Sequence, residues 1–105
     1  MKEKIILLRE QANEIIALCA KELKTDTPNI NILKIIKKEF EEIIRCIDRQ
    51  GKIRVINSRK QLLSSVVISD SADYNFNKEL FLKVADFSNK CEKISKKYIE
   101  ILYDY

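Results

Sequence analysis

The sequence predicts an all-α fold: an antiparallel bundle of three long helices plus one short helix, four-helix-bundle-like. Three observations lead there. The 105 residues contain one Gly and one Pro, far too few for the tight turns of a β-rich or α/β chain. Apolar residues recur at alternating three- and four-residue steps over long stretches, which places them on one helical face. The composition, 46% hydrophobic and 34% charged, is that of a folding domain and not of a disordered segment. A chain of this length is expected to form one domain over residues 1–105, with enough core to need no covalent staples.

Helix 1 is expected over about residues 3–24, with Ile5, Leu8, Ala12, Ile15 and Cys19 on its apolar face and Ile6 and Ile16 widening it. Helix 2 is expected to open at Thr27-Pro28, since Thr is a good N-cap and Pro suits the first helical position. Its stripe is Leu33, Ile36, Phe40, Ile43 and Ile47. Gly51 is the expected left-handed stop. Residues 52–57 alternate apolar and polar, as an extended connector or a short strand would.

Helix 3 is expected to start at Ser58-Arg59-Lys60-Gln61, where Ser58 and Gln61 fit a capping box. Leu62, Leu63, Val66 and Val67 then form one face. Ser64 to Ile68 are poor helix formers. The alternative is a two-stranded ribbon pairing 52–56 with 66–69. Helix 4 is expected to begin within Asp73–Asn77 and run close to the C-terminus. Leu80, Val84, Phe87, Cys91, Ile94, Tyr98, Ile101 and Tyr105 keep heptad-like spacing throughout. That gives a helix about 40 Å long, supported by Glu79–Lys83, Asp86–Lys90 and Glu92–Lys96 pairs. Its face is longer than helix 3 can cover, so a second copy of the chain is a plausible partner.

The chemistry open to this chain is narrow. No histidine means no His-based acid/base pair, no Ser-His or Cys-His nucleophile and no His-bound metal. One glycine cannot build a phosphate-cradling loop. No cofactor and no metal are expected, and the chain reads as a non-enzyme. Asp73-Tyr74-Asn75-Phe76-Asn77 imitates the start of a calcium loop, but Lys78 and Val84 stand where Gly and a bidentate Glu are required. Turn and N-cap chemistry fits that segment better. Glu39, Glu41 and Glu42 sit among Lys37, Lys38 and Arg45 and read as a solvated face.

Cys19, Cys46 and Cys91 are widely spaced and odd in number, so a disulfide framework is not expected and a reducing cytosol is. All three read as small buried hydrophobes. Cys46 beside Arg45 and Arg49 would be redox-active only if exposed. The apolar run Ile5–Leu8 is too short for a signal peptide or membrane span. Heavy use of Ile (17), Lys (15) and Asn (7) fits an AT-rich bacterial genome. Tyr98, Tyr103 and Tyr105 suit an interface or a bundle rim equally.

One feature points toward function. Residues 1–44 are net neutral and residues 61–105 carry −1, while residues 45–60 carry +5. This segment contributes Arg45, Arg49, Lys52, Arg54, Arg59 and Lys60 against Asp48 alone, and holds four of the five arginines. Arg offers a planar fork for carboxylate or phosphate. Arg45 and Arg49 form a like-charge i,i+4 pair, and Arg59 and Lys60 fall in a first helical turn, where the dipole disfavours cations. An acidic protein partner would account for this, as would acids supplied by other helices. A small nucleic-acid-binding regulator is the rival reading, with no interleaved aromatic and no reading helix to support it. An enzyme is the third, and would need clustered acids in a pocket or an exposed Cys46.

Overall fold

The structure is a computed structural model that describes residues 3–56, 62–71 and 76–102. Four helices and two short strands follow in the order α1 (Glu3–Leu23), α2 (Ile30–Gln50), β1 (Ile53–Ile56), α3 (Leu63–Ser71), α4 (Lys78–Lys93) and β2 (Ile99–Leu102). The fold is mostly helical, as expected, with a parallel strand pair added. Helix α1 packs against α2 and α4, α2 also carries α3 and β1, and α3 touches α4.

The three- and four-residue spacing has its physical outcome in the core. Ile5, Leu8, Ala12, Ile15 and Cys19 are buried from α1. Helix α2 buries Leu33, Ile36, Phe40, Ile43 and Ile47, joined by Ile32. Helix α4 buries Leu80, Val84, Phe87 and Cys91. Phe40 and Phe87 meet edge to face, with ring centroids 4.9 Å apart at 78°. That geometry sets the positive ring edge against the negative face, worth about 0.5–1.5 kcal/mol beyond the buried area.

The element ends differ from expectation in instructive ways. Helix α2 starts at Ile30 and not at Pro28. The Thr27 hydroxyl accepts the Asn29 N–H at 3.2 Å, so Thr27 serves the turn before the helix. The Asn29 carbonyl accepts the Leu33 N–H at 2.9 Å, the first rung of the helix. At the other end Gly51 holds φ 68° and its N–H donates to the Ile47 carbonyl, as expected of a left-handed stop.

Helix α4 opens at Lys78 with the Asn77 side chain accepting the Leu80 N–H at 3.2 Å, so Asn77 is the cap. The remainder of the Asp73–Asn77 reading, apart from the half-buried Phe76, lies outside the described residues. The heptad spacing predicts helix to the C-terminus, but α4 ends at Lys93 and Ile94 is extended. The chain turns at Ser95–Tyr98, and Ile99–Leu102 pairs in parallel with Ile53–Ile56. Two forces favour this over more helix. Ile94, Ser95, Ile99 and Ile101 have modest helix propensity, and β1 presents unpaired backbone groups that β2 satisfies. The Tyr98 carbonyl accepts the Ile53 N–H at 2.6 Å. The ribbon alternative is likewise corrected: residues 66–69 are helical, and the partner of β1 is the C-terminal segment.

Of the three expected i,i+4 pairs on α4, Lys90–Asp86 forms at 2.9 Å. Lys83 instead reaches Glu14 of α1 at 3.0 Å, and Lys96 lies beyond the helix. Helix α3 begins at Leu63, with Leu62 outside it; the Ser58/Gln61 capping box lies outside the described residues. The buried residues here are Leu62, Ser64 and Ile68. Leu63, expected on the apolar face, is exposed.

Candidate partner-binding surface

The basic segment is built by a helix end, a glycine turn and a strand. Arg45 and Arg49 project from the last turns of α2, Gly51 reverses the chain, and β1 delivers Arg54 back beside them. Arg45, Arg49 and Arg54 line one cleft of about 360 Å³, with Glu42, Cys46 and Gln50 completing its walls. Arg45 and Arg49 are exposed, as is Arg54, and Lys52 is half-buried. Arg59 and Lys60 lie outside the described residues.

The acids that answer these cations come from places the charge count does not reveal. Glu42 pairs with Arg45 along α2. Glu100 stands opposite Arg54 in the strand register, and its carboxylate lies 3.3 Å from the Lys52 Nζ and 3.5 Å from the Arg54 guanidinium. The Lys52 hydrogen bond, aided by the Arg54 charge, holds the Glu100 carboxyl below the usual carboxylate range. Asp48, the one acid of the segment, is engaged elsewhere. Arg9 of α1 clamps it with two bonds, Nε to Oδ1 at 2.7 Å and Nη2 to Oδ2 at 3.1 Å. That clamp lowers the Asp48 carboxyl and raises the Arg9 guanidinium. Arg49 has no ion pair among the described residues.

Beside this cleft is a second of about 350 Å³, whose lining includes Ile35, Glu39, Leu63 and again Glu42 and Arg54. Here the expectation of a solvated acidic face fails for Glu39. Its carboxylate accepts the Leu63 and Ser64 N–H groups at 2.7 Å each and the Ser64 hydroxyl. A residue of α2 thus caps the first turn of α3, where the helix dipole favours negative charge. Burial nevertheless dominates and pushes the Glu39 carboxyl up, with the Ser64 and Leu63 bonds opposing it. The sequence does carry a signal: Ile32, Ile36, Glu39 and Ile43 fall on one helical row, and Glu39 is its lone polar member. Glu41 and Glu42 remain exposed, as expected.

Cys19 and Cys91 are buried, and burial pushes both thiols up to about 12, so they stay protonated and inert. Cys46 is half-buried instead, with its sulfur 3.8 Å from the Gln50 Oε1. Tyr98 is half-buried and carries Lys97 over its ring at 5.1 Å. Tyr103 and Tyr105 lie outside the described residues. Among the described residues no group of three or more metal-ligating side chains comes together, and no helix is long and apolar enough to cross a membrane. Comparison with protein-family models, with curated proteins and with solved structures finds no match in any of the three.

Proposed function

We propose that this chain is a small non-enzymatic, cytoplasmic interaction or regulatory module. Its basic surface, Arg45, Arg49, Lys52, Arg54, Arg59 and Lys60, holds an acidic protein partner. One observation carries the reading: three arginines converge on a single cleft, and Arg49 has no counter-ion among the described residues. A guanidinium fork left open at the end of a helix matches a carboxylate in two-point geometry. The absence of histidine and the inert thiols of Cys19 and Cys91 support a binding role over a catalytic one. The same reading treats α1, α2 and α4 as antiparallel neighbours. Arg9–Asp48 joins the early part of α1 to the end of α2, and Lys83–Glu14 links α4 to α1. A second copy of the chain is a less favoured partner, because its motive was a longer α4.

Arg49→Glu combined with Arg54→Glu tests the reading, with circular dichroism confirming that the variant folds. Proteins retained by the wild type from its native host should be lost by the variant. Identical retention would refute the proposal. Duplex DNA or RNA titrated at low salt addresses the rival: binding that falls steeply with salt, in proportion to phosphates neutralised, would favour a nucleic-acid regulator.

A further inference from the structure

The two clefts share Glu42 and Arg54, so they form one groove. Its floor is a row on α2: Ile35, Lys38, Glu42, Arg45 and Arg49 follow alternating three- and four-residue steps and are all exposed. From Ile35 to Arg49 this row is about 21 Å long at the helical rise. The opposite wall is Leu63 of α3 and Arg54 of β1.

The chemistry changes along the groove. One end presents Ile35 and Leu63, 37% and 40% exposed. Lys38 and Glu39 stand beside them; the other end presents Arg45 and Arg49, and Arg54 lines both. A single exposed leucine is ordinary, but Leu63 is held in place. Glu39 accepts its N–H and that of Ser64, and Ser64 is fully buried, which fixes the first turn of α3 against α2 with Leu63 on the groove. The backbone that carries Leu63 is thus fixed before binding, which lowers the ordering cost there.

Resting on the acidic-partner reading, we propose that the groove takes a peptide segment of amphipathic chemistry. An apolar side chain seats between Ile35 and Leu63, and a carboxylate reaches Arg49, between the paired Arg45 and Arg54. Charge complementarity selects the acidic end. Arg45 and Arg54 already face Glu42 and Glu100, so Arg49, without an ion pair among the described residues, is the cation left open to an outside carboxylate. The apolar and basic ends lie about 15–21 Å apart along α2, which an extended peptide spans in about five or six residues.

The probe is a synthetic peptide with a leucine block and a glutamate block joined by a Gly/Ser spacer of about five residues. It is made in both chain directions, each with a counterpart in which serine replaces leucine. One direction should bind about tenfold more tightly than its serine counterpart. Ile35→Asn, at an exposed position, should abolish that advantage and leave the serine peptide unaffected. Arg49→Glu should weaken both peptides. Equal affinity of leucine and serine peptides, or a leucine advantage that survives Ile35→Asn, would overturn the groove while the basic-surface reading stands. No binding by any of the peptides would overturn both.

Discussion

Glu39 joins two elements, α2 and α3, through one side chain. Its carboxylate supplies an acceptor to the first turn of α3 from another helix. Glu39→Ala leaves the Leu63 and Ser64 N–H groups without it, and the unmet donor of buried Ser64 costs about 1–3 kcal/mol. Urea unfolding should show a loss of that size. The pH dependence has a definite sign. Burial raises the Glu39 carboxyl in the folded state, so its stabilising contribution is full below the unfolded value and is lost as pH rises through the folded one. The stability of the wild type relative to Glu39→Gln should therefore grow as pH falls through the folded value toward the unfolded one. Asp48 and Glu100 act oppositely. Both are lowered by cationic partners, so their contributions hold above the unfolded carboxylate value and fade as pH falls through the folded ones. Asp48→Asn should flatten the acid limb of the stability curve.

At the scale of elements, stops matter as much as stripes. Gly51 sits at φ 68°, and a Cβ there would meet nothing within 4 Å. The cost of Gly51→Ala is then purely backbone strain, about 1–2 kcal/mol, and Gly51→Asn should cost less because Asn tolerates the left-handed region. Thermal unfolding of the two variants checks the order. This stop was legible in the sequence, as were the buried stripes of α1 and α2, since burial enforces the helical period. The end of α4 was not. Tyr98 and Ile101 satisfy heptad spacing, while Ile99, Glu100 and Ile101 also alternate as a strand does, so periodicity cannot choose between the two. The choice rests on β1, a segment more than forty residues away in the chain that offers β2 a hydrogen-bonding edge. The α3 cap was hidden for the same reason: its acceptor lies on another helix.

For the whole molecule, three of the cations of residues 45–60, Arg45, Arg49 and Arg54, line one cleft. The cations of the candidate site were visible as a cluster in the sequence, whereas Glu100 and the apolar end of the groove depend on tertiary contacts. The core beneath is independent of that surface. Phe40→Ala should destabilise by about 3–5 kcal/mol, because Phe40 is fully buried against Phe87. Arg49→Glu, at an exposed position without an ion pair among the described residues, should cost no more than about 1 kcal/mol, the penalty of an anion in the last turn of α2. Chemical denaturation of the two variants separates the fold from the surface. The central claim, that the arginine cleft receives acidic polypeptide, is tested most directly by amide NMR of the labelled protein titrated with polyglutamate. The account predicts shifts concentrated on residues 42–54 of the wild type and their loss in Arg49→Glu. Shifts centred on another face, or the same shifts in the variant, would contradict it.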